Sequence, residues 1–134
     1  MIDIENQVFD KVAKALRAKY KGIYVNSEPL DVPPAFPAVT LYQRSTSAYE
    51  RSQTAESREN HATVMYETDV YSNLSNGAKQ QAKAIFADIN TLMEQMGFIR
   101  TFGQPVDNFA DTSIYRFKGR YKGVVSKDHI IYTS

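Results

Sequence analysis

Tyr66-Glu67-Thr68-Asp69-Val70-Tyr71-Ser72-Asn73, then Gly77 to Met96, then Gly97-Phe98-Ile99-Arg100 reads as strand, long helix and strand with almost no spacer. The helix carries apolar residues at Ala78, Ala82, Ile85, Ile89, Leu92 and Met96, the spacing that lines one side of a 3.6-residue turn. Lys79, Gln80, Lys83, Asp88, Asn90 and Glu94 take the other positions, so one face is expected to be buried and the other wet. Ser75 or Asn76 is expected to cap the start, and Gly97 suits a left-handed turn after the last helical residue.

Length and composition set bounds around this core. The 134 residues fit one domain, expected to span 1–134. No apolar run is long enough to cross a membrane as a helix, and the start, Met1-Ile2-Asp3-Ile4-Glu5, lacks the basic and apolar regions of a signal peptide. The expectation is a soluble protein made and kept in the cytoplasm. With no Cys, disulfide and thiol chemistry are excluded. A net charge of +1 predicts no strong general attraction to nucleic acid or membrane.

A second amphipathic helix is predicted from about Ile4 to Tyr20. Its stripe is Ile4, Val8, Val12, Ala15, Leu16 and Tyr20, widened by Phe9 and Ala13. Asp3 and Glu5 at the start, with Lys19 and Lys21 at the end, complement the helix dipole. Gly22 stops it and Ile23-Tyr24-Val25 forms a short strand. Four prolines between Asn26 and Pro37 impose an irregular connection into the strand Ala38-Val39-Thr40-Leu41-Tyr42.

Gln43 to His61 contains no Val, Ile, Leu, Phe or Met. Two readings compete for it: a solvated loop, or a β-hairpin arm that orders against a partner, which the alternation Ser47, Tyr49, Arg51, Gln53 allows. After it, Val64, Tyr66, Thr68 and Val70 form the packing face of a strand, and Thr63, Met65, Glu67, Asp69 and Tyr71 the outer face. Phe98 to Phe102 is the next strand, followed by a turn-rich loop from Gln104 to Thr112.

Ser113 to Lys122 alternates Tyr115, Phe117, Gly119 and Tyr121 with a basic face of Arg116, Lys118, Arg120 and Lys122. From Phe98 onward six cations face three aspartates, leaving about +3 in this part and about −2 elsewhere. The basic face reads either as the wet side of an antiparallel sheet, paired across strands with Glu67 and Asp69, or as a contact for an acidic surface, a neighbouring subunit or DNA. RNA recognition by a sheet would require aromatic residues beside the cations, and here the aromatic alternation reads as core. Ile130-Ile131-Tyr132 is expected to pair with Gly123-Val124-Val125 as a hairpin. The fold class is α+β, a mainly antiparallel sheet with two flanking helices and a long polar loop or arm.

No catalytic constellation emerges. His61 and His129 have no ligand at helical spacing and read as surface or interface residues, and no phosphate loop, dinucleotide fingerprint or nucleophile elbow occurs. The expectation is a protein that is not an enzyme, with no cofactor and no metal.

Glu59-Asn60-His61-Ala62-Thr63-Val64-Met65-Tyr66-Glu67-Thr68-Asp69-Val70-Tyr71-Ser72-Asn73, Gly77-Ala78-Lys79, Gly97-Phe98-Ile99-Arg100, Gln104-Pro105-Val106-Asp107-Asn108, Thr112-Ser113-Ile114-Tyr115-Arg116 and Arg120-Tyr121 together resemble the tail-completion, or tail-terminator, proteins of siphophages and prophages of Gram-positive bacteria. Phe36-Pro37-Ala38-Val39-Thr40-Leu41 matches the strand entry of such proteins, so the resemblance runs from about Phe36 to Tyr121. It implies a subunit of a homohexameric ring in the virion neck, assembled in the host cytoplasm. That ring would end tail-tube polymerisation, meet the tail-tube protein and the head–tail connector or stopper, and let genomic DNA pass without sequence-specific binding. An alternative neck role is head completion. On this reading Tyr49, Arg51, Gln53 and Arg58 belong to an interface arm, and Glu67, Asp69, Arg116, Lys118 and Arg120 to a charged strand face at an interface or on the DNA path.

Overall fold

The computed structural model describes residues 5–30, 32–48, 61–108, 111–126 and 131–132, with backbone alone for 46–48, 61, 126 and 131–132. The elements are α1 (Glu5–Lys19), β1 (Tyr24–Asn26), β2 (Ala38–Ala48), β3 (His61–Ser72), α2 (Ala78–Gln95), β4 (Ile99–Val106), β5 (Tyr115–Ser126) and β6 (Ile131–Tyr132). The fold is α+β. One six-stranded sheet runs β1-β2-β3-β5-β4, with β6 beside β5. Among the described residues, only the β1–β2 pair is parallel.

Both helices lie on one face of the sheet. Val8, Val12, Ala13 and Leu16 of α1 and Ala82, Ile85, Phe86, Ile89 and Met93 of α2 are buried against Val39, Leu41, Val64, Tyr66, Val70, Phe117 and Tyr121. The stripe predicted for α2 is shifted: Phe86 and Met93 are buried, while Leu92 and Met96 pack at its margin. Phe86 reaches the sheet because Gly119 lies beneath it, where a Cβ would sit 2.3 Å from the ring. Gly123 makes the same opening for Phe98, whose ring packs edge-to-face with Tyr66, the centroids 5.3 Å apart.

The ends of α2 differ from expectation in one respect. Gly97 has φ 96°, the left-handed turn foreseen, but no side chain caps the start; Gly77 stands there with φ 92°. That conformation is cheap only for glycine.

Three strands run beyond their predicted limits. β2 continues to Ala48, β5 to Ser126 and β4 through Pro105, a residue expected in a loop. Pro105 is tolerated because β4 is an edge strand. β6 pairs with Val124 and Val125, as the hairpin reading required. For Gln43–His61 the ladder pairs Ser45 with Met65 and Ala48 with Ala62, so both flanks of the segment form a hairpin. The arm residues Tyr49, Arg51, Gln53 and Arg58, and His129, lie outside the described residues. No described helix is long and apolar enough to cross a membrane.

Candidate functional site

Opposite the helices, strand register sorts the side chains of the open face into transverse rows. Ala38, Tyr71, Arg116 and Val106 form the first, Thr40, Asp69, Lys118 and Gln104 the second, and Tyr42, Glu67, Arg120 and Phe102 the third. Ser45, Met65, Lys122 and Ile99 form the fourth, with Arg44 at the irregularity between Gln43 and Ser45. Neighbouring strands are about 4.8 Å apart, so each carboxylate of β3 lies within reach of cations on β5.

The ion pairs are dense. Arg116 holds Asp69 through two guanidinium nitrogens, Nε to Oδ1 at 2.9 Å and Nη2 to Oδ2 at 3.2 Å. Lys118 Nζ bridges the two acids, 3.1 Å from Glu67 Oε2 and 3.3 Å from Asp69 Oδ2. Arg120 Nε donates to Glu67 Oε1 at 2.8 Å, and the Tyr42 hydroxyl donates to Oε2 of the same carboxylate. Arg116 also lies over the Tyr71 ring at 5.2 Å, and Arg120 over Phe102 at 4.9 Å.

This overturns the expectation that the outer face of β3 is wet. Asp69 and Tyr71 are fully buried and Glu67 is 6% exposed. Two covers account for it. The β5 cations close over the acids, and the proline-rich connection crosses the first row, where the Tyr71 hydroxyl donates to the Leu30 carbonyl. Tyr24 and Phe36 pack there on Ala38, Tyr71 and Ile114 as a second apolar cluster.

Burial opposes ionisation of Glu67, but the bonds from Tyr42, Arg120 and Lys118 outweigh it and bring its pKa down to about 2. Burial, then the bond to Glu67 and its charge, push the Tyr42 phenol well above its ordinary range. Tyr42 is therefore a fixed donor and Glu67 a fixed anion.

Of the residues singled out in the sequence, Glu67, Asp69, Arg116, Lys118 and Arg120 come together as one network. The cross-strand pairing reading of the basic strand is what the structure shows. Tyr42, Arg44, Ile99 and Phe102 also belong to this face and were missed, whereas Met65 stands on it as its alternation with Glu67 and Asp69 indicated. Alternation in Ala38-Val39-Thr40-Leu41-Tyr42 places Tyr42 opposite the apolar Val39 and Leu41, which was the available signal. Aromatic side chains thus do stand beside the cations, supplied by β2, β3 and β4 rather than by β5.

Among the described residues no group of three or more His, Asp or Glu side chains is arranged to hold a metal ion. Neither a scan against protein-family models nor a search of curated proteins finds a match for the chain.

Proposed function

We propose that this chain is a structural subunit of a siphophage-type tail, a terminator that forms a ring at the head-proximal end of the tube and joins the tail to the head connector. The proposal joins the residue pattern running from Phe36 to Tyr121 to the shape of the subunit. The carrying observation is the sheet extension: β2, β3 and β5 run on together past the start of β4, to Ala48, His61 and Ser126. α1 begins level with Gln43, whose backbone N–H donates to Glu5. Ala48 and His61, the described flanks of the polar stretch, thus stand at one end of the sheet, where a neighbour in a heterologous ring would meet them. DNA would pass through the ring without being read.

A nucleic-acid-binding module is the weaker reading, because the cations it would use are engaged. Arg116 and Lys118 are only 15% exposed and are paired to buried carboxylates. A head-completion role would use the same subunit on the connector alone.

The test is arrest of tube growth. Tail-tube subunits of the phage or prophage that carries this chain are polymerised with and without the protein, and lengths are measured by electron microscopy. Tubes capped at one end and shortened in proportion to added protein support the reading. An unchanged length distribution, with no density at either tube end, overturns it.

A further inference from the structure

The open face holds more positive charge than its network neutralises. Among the described residues, Arg44, Arg116, Lys118, Arg120 and Lys122 stand there against two carboxylates, Glu67 and Asp69. Asp69 is taken by Arg116 and Lys118. Glu67 already accepts three hydrogen bonds, from Tyr42 and Lys118 on Oε2 and from Arg120 on Oε1. Arg44 approaches Oε1 only at 3.9 Å, too far for a hydrogen bond. Lys122 is exposed in the fourth row, and no ion pair holds it among the described residues. The excess therefore collects in the third and fourth rows, at Arg44, Arg120 and Lys122.

Arg120 is fixed in place there. Its Nε is tied to Glu67 and its guanidinium lies over the Phe102 ring at 4.9 Å, so the plane is held from two sides. Its terminal nitrogens, on a side chain 33% exposed, have no hydrogen-bond or ion-pair partner among the described residues. A planar fork that is already ordered loses little freedom on meeting a carboxylate. The Arg44 and Arg120 Nε atoms are turned to one Glu67 oxygen, which brings the two guanidinium groups to one spot. Apolar surface surrounds them. Ile99 is 51% exposed beside Lys122, Met65 lies on the other side of Lys122, and Tyr42 and Phe102 are half-buried in the third row. The apolar contacts of the proline-rich connection lie at the first row instead, on Ala38, Tyr71 and Ile114.

We infer that this patch is a docking site for an acidic segment of another protein, one that carries Glu or Asp beside apolar side chains. Its carboxylate meets the Arg44 and Arg120 guanidinium groups, and its apolar neighbour packs on Ile99 and Phe102. Arg, Met and aromatic residues are the types enriched at the centres of protein interfaces. A phosphate backbone would use the cations but has no contact for Ile99. The complement of cations set in apolar surface is an acid set in apolar surface. The inference stands on the open face alone and does not rest on the tail role.

The experiment is a titration of the full chain with a short peptide that carries Glu on either side of Leu, followed by NMR of the arginine Nε–Hε signals and the backbone amides. A matched peptide with Gln for Glu, duplex DNA and inorganic phosphate are the other arms. The Glu peptide is expected to shift Arg44, Arg120 and the amides of Ile99 and Lys122. It should bind about tenfold more tightly than the Gln peptide, and more weakly as salt rises. Arg44→Glu should lower its affinity about tenfold and Ile99→Ser several-fold. Both residues are exposed, and circular dichroism with thermal melting checks that the variants fold. No shift with the Glu peptide, equal binding of the Gln peptide, binding to Arg44→Glu as tight as to the wild type, or shifts confined to α1 and α2 each overturns the site. Tighter binding of DNA or phosphate at the same arginines makes it a phosphate site, and a shift that grows with protein concentration before any probe is added gives the surface to a second copy. Either result overturns the assignment to an acidic partner.

Discussion

The two faces of the sheet are both buried at their centres, yet they are buried by different chemistry. Under the helices, Val64, Tyr66, Val70 and Tyr121 lose water to Ile85, Ile89, Met93 and Phe86, contacts that are non-directional. On the opposite face, Asp69 and Glu67 lose water to Arg116, Lys118, Arg120 and Tyr42, contacts that work only in pairs. A truncation on the first face is felt as lost volume. On the second it is felt as a charge left behind, and its cost depends on which partners remain.

The sharpest test of that contrast is Asp69. Asp69→Ala removes the buried carboxylate that Arg116 and Lys118 share and should cost about 3–5 kcal/mol in urea unfolding. Replacing all three together, Asp69→Leu with Arg116→Met and Lys118→Met, should recover most of that loss. A triple variant as unstable as the single one would mean that the network is held by packing, and the contrast between the faces would fail.

On the helix side the matching perturbation is one methyl. Gly119→Ala puts a Cβ 2.3 Å from Cε1 and 2.8 Å from Cζ of Phe86, a ring confined between α2 and the sheet. The expected loss is about 2–3 kcal/mol, from overpacking. Shrinking the ring with Phe86→Leu in the Gly119→Ala background should return part of it. Full stability of Gly119→Ala would show that Phe86 has room to move.

Acid separates the faces without mutation. The Glu67 carboxyl is held at about 2 against an ordinary 4.5, so the folded state binds its proton less readily than the unfolded chain. Its contribution is complete above about 4.5 and is lost as pH falls toward 2, about 2 kcal/mol in all after allowance for solvent screening. Unfolding free energy measured from pH 6 to pH 2 should fall over that window, and Glu67→Gln should flatten the fall. The apolar face has no term of this kind.

The two faces also differ in how far they could be read from residues alone. The apolar side follows from local periodicity: Val8, Val12 and Leu16, or Ile85 and Ile89, recur at helical spacing, and Val64, Tyr66 and Val70 at strand spacing. The charged side is decided by register between strands far apart in the chain. Glu67 and Asp69 sit at positions that, within β3 alone, look solvated. They are buried because β5 aligns Arg120 and Lys118 beside them, and because a loop some forty residues upstream crosses Tyr71. Pro105 was misplaced for a related reason, since nothing local marks β4 as an edge strand that accepts proline. The extension of β2 through Ser45 to Ala48 is likewise a pairing effect, for those residues contribute no apolar pattern of their own.

A partly wet version of the same chemistry joins the helices and gives the smallest predicted effect. Asp88 of α2 accepts from the Tyr20 hydroxyl and lies 3.0 Å from Lys19 Nζ, a nitrogen on a side chain that is 62% exposed. Burial, then the bond to Asp88 and its charge, push the Tyr20 phenol up to about 12. A raised phenol stabilises the fold while it stays protonated, so this contribution is complete below about 10 and is lost as pH rises through 12. Asp88→Asn keeps an acceptor near Tyr20 but removes the charge. Tyr20 should then titrate closer to 10, read by absorbance against a Tyr20→Phe control, while stability at neutral pH changes by about 1 kcal/mol or less, as for other exposed pairs. A loss comparable to that of Asp69→Ala would make this exposed pair as strongly coupled as the buried network, and burial would no longer separate the two.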